Sequence, residues 1–268
     1  MSVSIILSMA GGLGLFLYGM RIMSDSIEKV AGARLRGILE RLTTNRFMGI
    51  LVGVFFTALV QSSSACTVMV VSFVNSGLMT LTQAAGVILG ANIGTTVTAL
   101  LVSFKLEKAA PVILLVGVLV LMFVKKQKIS RWGEAIIGFG ILFMGLSSMS
   151  GAMSGMKDSP EVLHMFASLQ SPVMAVLLGT LLTAVIQSSS VTVSILVLLA
   201  NQGMMGLDIC VFTILGCNIG SCATAMIASL SGKKDAKRAA AIHLIFNIIG
   251  TIIVFVILKM AVNPLVAV

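Results

Sequence analysis

Two identical tetrapeptides carry most of the chemistry this chain can offer: Gln61-Ser62-Ser63-Ser64 and Gln187-Ser188-Ser189-Ser190. Each interrupts an apolar stretch. A helix that stops there and restarts at the serines presents the unpaired N–H groups and positive dipole end of a new half-helix, with hydroxyls as further donors. That is a site for an oxyanion. Downstream of each tetrapeptide lies a second polar run, Gly90-Ala91-Asn92-Ile93-Gly94-Thr95-Thr96 and Gly216-Cys217-Asn218-Ile219-Gly220-Ser221-Cys222. Its glycines allow a helix break, and the oxygens of Asn92, Thr95 and Thr96 suit a hard cation. In the twin run Asn218 is kept, Ser221 replaces Thr95 and Cys222 replaces Thr96, which leaves it poorer in oxygen ligands.

The two sets belong to one duplication. Shifting the chain by 126 residues lays Phe47–Phe104 on Val173–Leu230 without a gap, with 23 identities in 58 positions. The polar residues match best, including Thr57 with Thr183, Asn75 with Asn201 and Thr98 with Thr224. The same shift sets Gly12, Gly14 and Gly19 on Gly138, Gly140 and Gly145. We therefore expect repeat 1 over 1–126 and repeat 2 over 127–268. Each holds a Gly-rich helix, a helical hairpin (about 46–76 and 171–202), a broken helix (about 80–104 and 206–231) and a closing helix.

These elements must sit in lipid. Of 268 residues, 58% are hydrophobic and 10% charged, and the mean hydropathy is +1.12. Runs such as Ala135 to Met156 and Val162 to Leu207 carry no formal charge, and about 20 apolar residues cross the hydrocarbon core as a helix. The reading is an all-α polytopic protein of the inner (cytoplasmic) membrane, with Ser4 to Met20 as a retained first span rather than a signal. The net charge of +9 collects in three blocks, Arg21 to Arg46, Lys125 to Arg131 and Lys233 to Arg238. Placing all three on the cytoplasmic side satisfies the positive-inside rule, a better account than nucleic-acid binding. It works when each hairpin is re-entrant, returning to the face it left. Each repeat then crosses three times, so the two are inverted and their Gln-Ser-Ser-Ser loops enter from opposite faces. No Lys or Arg lies in the loop segments. A buried multivalent oxyanion needs compensating charge, so cations must enter with it, which implies ion-coupled transport.

Two copies of Gln-Ser-Ser-Ser, each followed by Gly-x-Asn-Ile-Gly, closely resemble the type II sodium/phosphate cotransporter family, and His243-Leu244-Ile245-Phe246-Asn247 with Gly250 looks like that family's segment after its second repeat. The resemblance implies alternating-access, sodium-coupled transport of inorganic phosphate, with sodium as the coupling ion and no other cofactor. It puts phosphate at Gln61, Ser62, Ser63, Ser64, Gln187, Ser188, Ser189 and Ser190. It puts sodium at Gln61, Ser64, Asn92, Thr95, Thr96, Gln187, Ser190, Asn218 and Ser221. A homodimer is a further expectation. Bacterial relatives often carry a PhoU-like cytoplasmic domain, and this chain ends at Val268 without one.

Other readings compete. Another oxyanion such as sulfate would be served by the same donors. An intramembrane serine hydrolase would use Ser63 or Ser189 as nucleophile and His243 as base, but only the second half supplies a histidine, so we expect no enzyme. A non-transporting sensor or scaffold would leave both loops without a substrate. Ser24 to Asn45 reads as an interfacial amphipathic helix, with Lys157 to Gln170 as its less charged counterpart. Asp208 and Glu134 fall at membrane ends. His243 is either a proton acceptor or a packing residue, and His164 has no assigned role. The four cysteines and the 18 methionines read as packing.

Overall fold

The computed structural model describes residues 3–43, 45–104, 106–154 and 171–265, so the segment 157–170, read as the counterpart of Ser24 to Asn45 and including His164, falls outside the described residues. Among the described residues the chain is helical, with one 3-10 turn at Leu106–Lys108 and no strand. In the first half α1 runs Val3–Leu42, α2 Arg46–Val60, α3 Ser63–Ser76, α4 Leu81–Ser103 and α5 Ala110–Phe123. In the second, α6 runs Gln127–Ser154, α7 Pro172–Ile186, α8 Ser189–Asn201, α9 Leu207–Gly220, α10 Cys222–Ser229 and α11 Lys234–Leu265.

Among the described residues five stretches are long and apolar enough to cross a membrane: Val3–Gly32, Leu81–Ser103, Gln127–Ser154, Leu207–Ser229 and Lys234–Met260. By length and composition these stretches fit the hydrocarbon core of a bilayer. Three crossings per half would also need α5, whose 14 residues reach only roughly 21 Å.

Local signals explain the helix starts. Asn45 accepts the Met48 N–H at 2.9 Å and so caps α2. Thr80 and Gln83 form a reciprocal capping box at α4. Ser171 caps α7, with Pro172 preset for its first turn.

Glycine then sets how the helices meet. A β-carbon on Gly90 would collide with the Ile50 carbonyl and one on Gly94 with that of Val54, while Gly216 and Gly220 stand in the same relation to Val176 and Thr180. These partners advance together along both helices, so α4 runs parallel to α2, and α9 to α7. The chain must reverse between them, and α3 and α8 make the return. Each half thus contains a helical hairpin laid on a longer helix through backbone-to-backbone contact, the means by which helices associate where lipid removes any hydrophobic drive.

Two expectations are corrected here. Gly90 and Gly94 do not break α4, which is continuous from Leu81 to Ser103. The glycines provide close approach instead, and a break would have freed backbone groups that lipid cannot satisfy. Only the second half is interrupted, at Ser221 between α9 and α10. Nor is Ser24 to Asn45 a separate interfacial helix: its first part, to Leu42, continues α1. There Leu39 is fully buried against the Val52, Phe56 and Val70 cluster, and the Arg36 guanidinium lies 5.4 Å from the Phe73 ring centroid.

The halves join at α1 and α6. Gly12 abuts Gly145 and Met149, while Gly19 abuts Gly138 and Leu142. One partner's number rises as the other's falls, so α1 and α6 are antiparallel. Under the repeat shift Gly12 becomes Gly138 and Gly145 becomes Gly19, so exchanging the halves turns one contact into the other. Met20, Met23, Met149 and Met153 fill the seam, and all four cysteines are buried free thiols, as their expected packing roles require.

Candidate functional site

Each Gln-Ser-Ser-Ser segment builds the same turn. The Gln61 N–H donates to the Thr57 carbonyl at 2.7 Å and closes α2, and the Gln187 N–H does so to Thr183, also at 2.7 Å. Both glutamines take the left-handed conformation, at φ 60° and 58°, and they are the only non-glycine residues with positive φ among those described. Glycine normally holds this helix-ending position, because a β-carbon there costs about 1–2 kcal/mol. Two glutamines kept under strain at equivalent places point to a need for their side chains. The next residue, Ser62 or Ser188, is extended and caps the following helix, accepting from Ala65 N–H at 3.1 Å or Val191 N–H at 3.4 Å. The N–H groups of Ser63, Ser64, Ser189 and Ser190 then fall in first turns, where helix geometry offers no intrahelical acceptor.

All eight tetrapeptide residues line one cavity of about 210 Å³, completed by Leu17, Met20, Arg21, Ser24 and Val191. Two helix N-termini, α3 and α8, therefore face the same small space, an arrangement that attracts an anion. The turns also touch through a third residue. Thr98 Oγ1 on α4 donates to Gln61 Oε1 at 2.8 Å and accepts from Ser190 Oγ at 3.3 Å, which connects the first-half turn to the second-half turn.

The turns differ in their surroundings. Gln61 is 7% exposed, and its amide donates to the Ala58 carbonyl besides accepting from Thr98. Gln187 is exposed, and its side chain bonds to no described residue.

The second polar runs do not join this cavity. Asn92 Nδ2 donates to Asn247 Oδ1 at 3.2 Å, and His243 Nε2 stands 3.3 Å from Asn92 Oδ1. Asn247 Nδ2 donates to the His243 carbonyl at 2.9 Å and to Cys222 Sγ at 3.3 Å. Thr95 and Thr96 donate to the Ala91 and Ile93 carbonyls of their own helix, and Ser221 donates to that of Asn218. Asn92 thus ties α4 to α11, and the hydroxyls of Thr95, Thr96 and Ser221 bond within their own helices; none of these residues, nor Asn218, lines the cavity of the serine loops. His243 is 2% exposed and bonds Asn92 rather than Ser63 or Ser189. Glu134 accepts from Ser26 at 3.1 Å, tying α6 to α1.

Two residues of the site went unassigned in the sequence. Thr98 carried a signal, being a polar residue repeated as Thr224 in an apolar helix. Arg21 carried none, since Ser147 stands at its place in the other repeat. No Lys or Arg lies in the loop segments themselves, but Arg21 reaches the cavity from α1 while 3.7 Å from Asp25. Among the described residues no group of three His, Cys, Asp or Glu could hold a metal. A cation here would meet hydroxyl, amide and carbonyl oxygens.

A profile of the Na+/Pi-cotransporter family matches residues 15–151 and 157–267. The chain belongs to that family. It is 33% identical over 261 residues to the uncharacterized protein YqeW of Bacillus subtilis, covering 96% of this chain and 84% of YqeW. It is 30% identical over 250 residues to YjbB of Salmonella typhimurium, provisionally named an inorganic phosphate export protein. That match takes in 93% of this chain and 46% of YjbB, so the chain spans about half the length of this relative. Rat sodium-dependent phosphate transport protein 2A is 39% identical over 93 residues, 34% of this chain and 14% of that protein. No solved structure matches.

Proposed function

We propose that this chain moves inorganic phosphate across the cytoplasmic membrane together with sodium, by alternating access around the cavity shared by the two Gln-Ser-Ser-Ser turns. The observation that carries the proposal is the convergence of both turns, each with a helix N-terminus, on one small cavity. Phosphate binds to Gln61, Ser62, Ser63 and Ser64 and to Gln187, Ser188, Ser189 and Ser190. Backbone N–H groups and hydroxyls donate to its oxygens. Arg21 contributes a single positive charge from the cavity edge, less than a phosphate dianion carries. Sodium makes up the difference, with the oxygens of Gln61, Ser64, Gln187 and Ser190 as its ligands.

Alternating access needs a site that can be reached from either face. The halves, 1–126 and 127–268, are read as inverted repeats, supported by the antiparallel packing of the equivalent helices α1 and α6 through exchangeable glycine contacts. The hairpin helices α2, α3, α7 and α8 are 13 to 15 residues long, roughly 20–22 Å, against about 30 Å of hydrocarbon. That length supports re-entry over crossing, with the turns near mid-membrane.

Direction follows the ion gradients, since a symmetric two-sided site works both ways. The name given to YjbB favours export as a second reading. The deciding experiment is uptake of radiolabelled phosphate by proteoliposomes under an imposed sodium gradient, with sulfate as competitor. Uptake that ignores sodium, or that sulfate blocks as well as phosphate does, overturns the proposal.

A further inference from the structure

We infer that Thr98 and its repeat mate Thr224 are alternating positioning residues, each holding one Gln-Ser-Ser-Ser turn across the half-to-half boundary in one of the two access states. The inference rests on the two-sided access proposed above.

Thr98 is 4% exposed and bridges Gln61 of its own half to Ser190 of the other. The repeat shift converts this trio into Thr224, Gln187 and Ser64. None of the mate's bonds is formed. Thr224 Oγ1 is buried without a hydrogen-bond partner among the described residues. The Gln187 side chain is exposed, and no described residue bonds it or Ser64 Oγ. A buried hydroxyl left unpaired is a standing cost that packing alone would have removed, because valine fills the same volume. The helices are already in place for the exchange: α10, which carries Thr224, packs on α3, which carries Ser64, as α4 packs on α8. Closing the Gln187–Thr224–Ser64 trio while opening the Gln61–Thr98–Ser190 trio moves the buried, bonded state from one turn to the other. The hydroxyls do not touch the cargo in this scheme. They fix which glutamine side chain is held by a bond and which is released.

The test uses valine, which keeps the β-branched shape and removes the hydroxyl, with serine as the conservative control. A reporter cysteine at the cavity-lining Leu17 is labelled with a membrane-impermeant thiol reagent, in detergent without phosphate or sodium. The buried native thiols of the parent chain give the background. Thr98→Val should slow Leu17→Cys labelling about two- to tenfold, the effect of one lost hydrogen bond on the population of this state. Thr98→Ser should restore the rate. Thr224→Val should leave labelling as fast or faster and raise the melting temperature of the state seen here, yet reduce phosphate transport by a similar factor. If both valine variants shift labelling in the same direction, or Thr224→Val transports at the parent rate, the inference is overturned. A Thr224→Val chain that changes only its sodium requirement also overturns it, since the hydroxyl would then be a ligand. Should Thr98→Val not fold, Thr224→Val decides alone, because it removes a group that bonds to nothing. Labelling without substrate also separates this inference from the cargo assignment: a parent chain that carries no phosphate, with the opposed labelling shifts intact, refutes only the cargo.

Discussion

The two Gln-Ser-Ser-Ser turns have one sequence and one backbone, with glutamine φ angles of 60° and 58°, but two environments. At Gln61 the side chain is buried and bonded to Ala58 and Thr98; at Gln187 it is exposed and unbonded. The difference teaches that the tetrapeptide sets the shape of the turn, and that the packing of the halves sets what the turn presents. Arg21 sharpens the contrast, because it lines the shared cavity from α1 while the repeat gives Ser147 in its place. A cavity built by a near-symmetric pair is thus charged from one side only.

The largest expected effect removes what the halves share. Gly90→Val drives a branched side chain into the Ile50 carbonyl, and Gly216→Val does the same at Val176. Overpacking of this kind costs about 1–3 kcal/mol where neighbours can yield, and here the neighbour is backbone. Both variants should lose nearly all folded protein, measured as monodisperse yield in detergent, whereas Gly250→Ala, which has open space, should not. A folded Gly90→Val beside an unfolded Gly216→Val would break the equivalence of the two hairpin seams.

Next come the turns themselves. Gln61→Ala, Ser63→Ala and Ser189→Ala should each reduce sodium-driven phosphate uptake roughly 10- to 100-fold, the scale of one lost donor to a charged ligand, with the melting temperature little changed for the serine variants and lowered for Gln61→Ala, which also gives up the Thr98 bond. Equal losses at Ser63 and Ser189 would show that both turns hold the cargo during one cycle. Normal uptake by all three refutes the site.

Arg21→Ala should weaken half-saturation by phosphate about two- to fivefold, a small effect because the guanidinium is exposed and already faces Asp25. Ser147→Ala should do nothing comparable, and raised salt should shrink the Arg21 effect.

The smallest effect probes strain. Gln187→Gly relieves about 1–2 kcal/mol of left-handed backbone cost and gives back about 0.5–1 kcal/mol through glycine's added freedom, so a slight rise in stability is expected. Gln61→Gly should gain less or lose stability, because it also gives up the Thr98 bond. Thermal unfolding of the pair reads the asymmetry directly, and identical shifts would deny it.

Much of this architecture was legible before any coordinates. The helix stops at Gln61 and Gln187 and the restarts at the following serines were legible there, because serine caps a helix and the tetrapeptide interrupts an apolar run. The role of Gly90 and Gly94 was misread for a physical reason: glycine permits both a helix break and a close helix contact, and only the presence of α2 against that face decides between them. The pairing of Asn92 with His243 and Asn247 is equally illegible in sequence, since it joins residues more than 150 positions apart.

The sequence by itself determined the duplication, the helices and the turns, because periodic apolar runs, caps and breaks act over a few residues. Only the tertiary structure decided that both turns open into one cavity, that Arg21 reaches it, and that Thr98 is bonded while Thr224 is not. Those outcomes depend on which backbones glycine lets approach, and each hydroxyl takes whatever partner that packing leaves within reach.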